Sequence, residues 1–266
     1  RSRATKKRPH LIPLETREVD IKTKLASADK LAEPMDKSVQ EYISALVKKI
    51  NNNLKNANKS AKKMDKQLDA NSIDIVMPNM NEELETLMDD ITPYIIATLS
   101  AGFIYGAKQA RHAEAFDMSA GWVDDYLMER RAMFNTVLDD IYKTTRESLV
   151  NVLIAGGSVS QAQDIVNRVV NINGFRAERI ARTESLRAIN RGSHQVYMES
   201  DNVTHKQWNT TMDGRERDSH AILNSEVVRV NEPFSNGLMY PLDPTGPPEQ
   251  VVNCRCTHRP LKREEL

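Results

Sequence analysis

The 266-residue chain has only two cysteines, ten glycines and 5% aromatic residues, and its formal charges sum to zero. Two cysteines cannot build a disulfide framework, which excludes a disulfide-stapled secreted fold and fits a reducing compartment. So few glycines and aromatics argue against a sandwich or barrel of strands. The zero net charge excludes a histone-like basic protein. The opening residues lack an apolar h-region, so no secretory signal is read there. Apolar runs of membrane-spanning length are also scarce. The one candidate, Ile91 to Ala107, carries no charge and holds Gly102 and Gly106 at a GxxxG spacing. It is slightly short for a bilayer and contains Pro93, Thr98 and Ser100, so it reads as a buried helix rather than a span, and no membrane is expected.

What is present is charge. Asp, Glu, Lys and Arg make up 28% of the chain, and apolar residues recur at helical spacing over most of its first two-thirds. The expected fold is a mainly α N-terminal part with long helices, followed by a small α+β C-terminal module. Residues 1–35 read as a basic extended arm, with Arg1, Arg3, Lys6, Lys7 and Arg8 followed by Pro9 and Pro13. Residues 36–155 read as a helical domain. Tyr42, Ile43, Leu46, Val47, Ile50 and Leu54 mark one helix, from Val39 to about Leu68, that ends in Lys55, Lys59, Lys62, Lys63 and Lys66. A second amphipathic helix runs from about Val123 to Ile154 and stops at Gly156-Gly157. Ser160 and Gln163 have capping-box spacing for a helix that Asn173-Gly174 would end. The next helix, Phe175 to about Arg191, carries Arg176, Arg179, Arg182, Arg187 and Arg191. Lys55, Lys59, Lys62, Lys63, Lys66, Arg176, Arg179 and Arg187 are candidate nucleic-acid contacts, weighed against ordinary solvated faces and intrahelical ion pairs.

After Gly192 the pattern changes. Val203–Trp208, Glu226–Val230 and Val251–His258 are short β-branched or alternating runs, and the Pro- and Gly-rich loop from Pro233 to Pro248 separates the last two. Residues 261–266 read as a tail. Both cysteines lie in Asn253-Cys254-Arg255-Cys256-Thr257-His258. One residue apart, they are badly placed to bond to each other. An extended segment would instead put Cys254, Cys256 and His258 on one face, with His220 as a fourth donor to a zinc ion. The competing reading makes both cysteines small buried apolar residues. Arg182, Glu184, Asp213, Arg217 and Asn253 supply enough opposite charges and donors for a buried polar network, and Trp208 reads as a core anchor.

Ile180-Ala181-Arg182-Thr183-Glu184, Ala188, Asn190, Lys206, Trp208, Asp213, Arg215, Arg217, His220 and Asn253-Cys254-Arg255-Cys256 form an ordered set. Over about residues 150–260 this set resembles the phage Mu F-like minor head protein family. The resemblance implies a head morphogenesis domain over residues 156–260. It implies a virion protein of a tailed phage, located in the phage head and assembled in the host cytoplasm. It also implies association with the portal vertex in head assembly or DNA packaging and delivery, with the portal protein, the major capsid protein and double-stranded DNA as partners. The alternative is a metal-dependent hydrolase or nuclease built on His220, Cys254 and Cys256, with Glu184 or Asp213 as base. The cysteine spacing does not fit the zinc deaminase signature. A Cys256–histidine nucleophile pair ranks below both.

Overall fold

The computed structural model of the chain describes residues 14–64, 68 and 72–265. Three long helices come first: α1 (Leu14–Lys63), α3 (Met80–Ala110) and α4 (Gly121–Ile154), with the single turn α2 (Ile73–Val76) between α1 and α3. A fourth long helix, α5 (Val159–Glu199), leads into β1 (Val203–Asn209), α6 (Asp218–Ile222), β2 (Val227–Arg229), α7 (Pro248–Val251) and β3 (Thr257–Lys262). The strands form an antiparallel sheet in the order β2-β1-β3. The expected class, long helices and then a small α+β module, is the class observed.

Four local expectations change. From Leu14 onward the basic arm is helical, since α1 starts 25 residues before Val39 and takes Pro34 into its interior. Lys24, Ala28, Ala32 and Met35 are buried along this stretch, which supplies the packed face that its polar sequence did not advertise. Residues 1–13 and Lys66 lie outside the described residues. Asn173-Gly174 does not end a helix, because α5 runs straight through it. A glycine inside a helix costs about 1 kcal/mol, which the packing of so long a helix can offset. The capping box at the start of α5 is Ser158 and Gln161, two residues before the pair read from sequence: Gln161 N–H donates to Ser158 Oγ (3.2 Å) and Ser158 N–H to Gln161 Oε1 (2.7 Å). The third strand begins at Thr257, so Leu261 and Lys262 belong to β3 and not to a tail. Pro260 is tolerated there because β3 is an edge strand.

The chain divides into two compact units, each assembled from separated segments. One comprises residues 34–93 and 118–178. Its core is mainly aliphatic, with Val39, Ile43, Leu46, Ile50 and Leu54 of α1, Leu84, Leu87 and Ile91 of α3, and Leu138 and Leu149 of α4 beside the Phe134 ring. Surface pairs link its helices: Arg131 to Glu85, Arg146 to Asp74 (3.1 Å) and Arg176 to Asp140 (2.8 Å). Exposed pairs of this kind contribute little each, so the aliphatic face carries the stability.

The other unit comprises the described part of residues 1–33 with residues 94–117 and 179–266. Gly102 and Gly106 of α3 lie against α5 here, and Gly192 of α5 lies against Leu99 and Phe103. The uncharged run of α3 is thus buried by a close backbone approach, and no helix among the described residues is long and apolar enough to cross a membrane. Lys24 of α1 is buried in the same unit and donates to the His258 carbonyl at 2.7 Å. The second core is smaller and more mixed: Leu186, Ile189, Trp208, Phe234, Leu238, Leu242, Val251, Cys254 and Cys256 pack together with Ala28.

Lys206 of β1 is fully buried in this unit. Its Nζ has no hydrogen-bond acceptor among the described residues and sits 5.2 Å from the centre of the Phe234 ring. Burial pulls its pKa down from 10.5 to about 8, although the charges of Asp243 and Glu232 pull the other way. Lys206→Met is therefore expected to raise stability at pH 7 by about 1–2 kcal/mol, because an apolar chain of similar length removes the desolvated charge. The unfolded chain holds this proton up to about pH 10.5 and the folded chain releases it near 8, so the gain should shrink as pH rises between those values. Urea titrations of both proteins at pH 7, 8.5 and 10 measure it.

Candidate functional site

The polar face of α5 sets the position of the cysteine segment. Thr183, Glu184, Arg187 and Asn190 recur at helical spacing, and all four are buried. Arg187 pairs with Glu184 and donates through Nε to the Leu242 carbonyl at 2.9 Å. Asn190 Nδ2 donates to the carbonyls of Pro241 (3.1 Å) and Cys256 (3.0 Å). Thr183 Oγ1 accepts from the Asn253 amide at 3.0 Å. Three side chains of one helix, Thr183, Arg187 and Asn190, thereby satisfy backbone groups of the loop and the cysteine segment, and Glu184 holds Arg187 in place. Leu242 (φ 67°) and Asn253 (φ 58°) are left-handed, a conformation that a leucine adopts only where its surroundings fix it.

The loop also braces itself. Asp243 accepts from the amides of Met239 (2.9 Å) and Thr245 (3.0 Å). Pro247 and Pro248 then open α7, which places Gln250 and Val251 one turn before the cysteines.

On the facing side, the turn Asp213-Gly214 has Gly214 at φ 81°, and its Asp213 and Gly214 amides donate to Glu216 Oε2. The short α6 follows and carries His220, which is 1% exposed. Trp208 Nε1 donates to Thr210 Oγ1 (3.2 Å), and that hydroxyl donates to the His220 carbonyl at 2.6 Å. The Trp208 ring meets the His220 and Phe234 rings edge-on, so Trp208 is the core anchor read from the sequence.

His220, Cys254 and Cys256 meet here. Their donor atoms lie within 4.8 Å of one another, and all three residues are buried. His220 Nδ1 is 3.5 Å from Cys254 Sγ and 3.4 Å from Cys256 Sγ. On the other side of the ring, Nε2 is 2.8 Å from Gln250 Oε1. That acceptor fixes the proton on Nε2 and leaves the Nδ1 lone pair facing the sulfurs. The Cys256 thiol beside Cys254 holds the Cys254 thiol below its ordinary range, while Cys256 is pushed well up by Cys254 and by burial. Burial lowers the pKa of His220, but the contacts with Cys256 and Gln250 outweigh it and leave the group raised.

His258 does not join the cluster. Two residues along an extended strand carry a side chain about 7 Å onward. Its ring lies instead among His194 (5.6 Å between centroids), Tyr197 (5.1 Å) and Tyr240 (6.3 Å). Nor do the five network residues form one network. Glu184 is buried with Arg187, whereas Asp213 is near the surface, pairing with Arg255 and with Arg215 (2.8 Å). Arg217 donates to the Val252 carbonyl (2.7 Å), Asn253 contributes only its amide to Thr183, and Arg182 is exposed. The division follows from α5 geometry, which turns Arg182 outward when Glu184 and Arg187 face in.

Arg187 is also withdrawn from the candidate nucleic-acid contacts, because its guanidinium is committed to Glu184 and Leu242 in the core. Gln250 was not read from the sequence as part of the site. The pair Pro247-Pro248, which marks a helix start, was the signal that could have placed it beside the cysteines. A cleft of about 20 Å³ borders the cluster, lined by His220, Cys256, Asp213, Arg217, Asn253 and Arg255 among others. It has room for a water or an ion.

Residues 143–259 match the family model described as Phage Mu protein F like protein. The Mu F-like segment thus begins within α4 and ends inside β3, and it contains His220 and both cysteines. An uncharacterized protein of Bacillus subtilis (strain 168), YqbB, is 24% identical over 147 residues, which is 53% of this chain and 47% of that protein. The chain therefore spans about half the length of this curated relative. No solved structure matches the chain.

Proposed function

We propose that the protein is a minor head protein of a tailed phage, located in the virion and joined to the portal vertex, where it acts in head assembly and DNA delivery. The observation that carries this reading is the Mu F-like match over residues 143–259. The site agrees with it chemically. The buried side chains of α5 are spent on holding a loop in one conformation, as a rigid docking module requires, and the adjoining cleft is small. The portal protein and the major capsid protein are the partners this reading names. Co-expression of the chain with both, followed by gradient sedimentation, tests it. Co-sedimentation with portal-containing particles is expected, and a chain that stays at the top of the gradient overturns the reading.

DNA contact is proposed at the C-terminal end of α1. Lys55, Lys59, Lys62 and Lys63 are exposed there, and their spacing keeps them close to one face. Arg179 is exposed on α5, whereas Arg176 is already paired with Asp140. Binding to duplex DNA should be independent of sequence, with log K falling by about 0.9 per decade of salt for each phosphate neutralised. Replacing the four lysines by glutamine should flatten that slope by about 3.6. Affinity measured at several salt concentrations checks this, and an unchanged slope would place the contact elsewhere.

A further inference from the structure

We propose that His220 Nδ1, Cys254 Sγ and Cys256 Sγ bind one Zn²⁺ ion, with a water in the adjoining cleft as fourth ligand. The distances carry the argument. Tetrahedral zinc with Zn–S of about 2.3 Å and Zn–N of about 2.0–2.1 Å places each sulfur about 3.6 Å from the nitrogen. The two observed separations are 3.5 and 3.4 Å. Hydrogen bonding explains them less well, since a single Nδ1 lone pair cannot accept fully from two thiols, whereas one cation engages all three donors together.

The surroundings fit a metal in other ways. Gln250 Oε1 holds the second ring nitrogen of His220 at 2.8 Å, and metal-binding histidines commonly show this kind of outer partner. The Cys256 amide approaches Cys254 Sγ at 3.4 Å, a donor directed at a sulfur that would carry negative charge as a ligand. Two thiolates balance the charge of a divalent ion, so the buried site would be neutral. Two sulfurs and one imidazole select zinc over the hard, oxygen-seeking cations. His220 and Cys256 line the adjoining cleft, whose volume of about 20 Å³ accommodates a water as the fourth ligand.

This ion would join α6 to the segment between α7 and β3. It is a staple for a module whose loop is otherwise held by side-chain bonds to α5. The inference rests on the donor geometry and is independent of the phage-head reading.

The full-length protein, purified without chelator, should contain one zinc per chain by elemental analysis. Both thiols should resist alkylation until a strong chelator is added. Cobalt substitution should give the intense absorption of thiolate-bound Co²⁺. Cys254→Ser, Cys256→Ser and His220→Asn should each lose stoichiometric metal. Gln250→Ala, which leaves all three donors in place, should fold and bind zinc about 10–100-fold more weakly in a chelator competition. Two results overturn the proposal: metal-free wild-type protein whose thiols react equally fast with and without chelator after zinc has been supplied, or undiminished zinc affinity in His220→Asn.

Discussion

Gly192→Ala is expected to destabilise the protein by about 3 kcal/mol, at the upper end of what overpacking usually costs. A Cβ at this position would lie 2.3 Å from the Leu99 carbonyl oxygen and 2.7 Å from the Phe103 amide nitrogen. Both are backbone atoms of α3, so no rotamer change relieves the clash and the two helices must separate. Gly102 forms the other half of the contact, its own Cβ position being 2.4 Å from the Ile189 carbonyl oxygen. Separation would also stretch the bond from Ser193 Oγ to the Gly102 carbonyl, now 2.9 Å. The intrinsic preference of a helix for alanine, about 1 kcal/mol, offsets part of the loss and is already allowed for. Gly121→Ala is the control, because a Cβ there meets nothing within 4 Å. Urea unfolding should show a lower midpoint for Gly192→Ala and no loss for Gly121→Ala; equal midpoints would mean that the helices are not in backbone contact.

The same glycines show how much of the fold was legible. The uncharged run holding Gly102 and Gly106 was legible as a buried helix, but nothing in the sequence identified Gly192 as part of its partner. Helix periodicity placed the long helices because their apolar stripes repeat every three to four residues. It failed at residues 14–35, where the buried positions include Lys24 and alanines, which carry little hydrophobic signal. It failed again at Asn173-Gly174, where a local stop signal was overridden within a longer helix.

At the site, the extended-strand reading put Cys254, Cys256 and His258 on one face, whereas the two cysteines meet in the irregular segment that precedes β3. It misplaced His258, because the chain turns at Asn253 and enters the sheet only at Thr257. The convergence of His220 with the cysteines depends on contacts 34 and 36 residues apart, formed after a long loop has closed. Residue types suggested that meeting and spacing alone could not prove it. The role of α5 was hidden for a related reason: an arginine such as Arg187 looks solvent-facing in sequence, and only the loop carbonyl it meets explains its burial.

Acidification below pH 6.5 is expected to destabilise the protein by up to about 2.7 kcal/mol per pH unit, and the residues responsible are His194 and His258. Both rings are buried, and neither His258 nitrogen has a hydrogen-bond partner among the described residues. Burial holds both groups well below 6.5, and positive neighbours reinforce it: Lys206 and Arg191 at His194, and Lys24, His194 and Lys206 at His258. Below pH 6.5 the unfolded chain therefore binds up to two protons that the folded chain refuses, so stability falls with pH until the folded-state values are reached. His220 is shifted in the opposite direction, and its linkage acts above pH 6.5, outside this window. Unfolding free energies at pH 7.0, 6.0 and 5.5 measure the slope. His258→Phe keeps a ring among His194, Tyr197 and Tyr240 while removing one titrating group. The variant should lose about half the slope and overtake the wild type at acid pH, because a phenyl ring has no buried nitrogen to leave unsatisfied and no proton to refuse. A slope unchanged by the substitution would transfer the acid sensitivity to other groups.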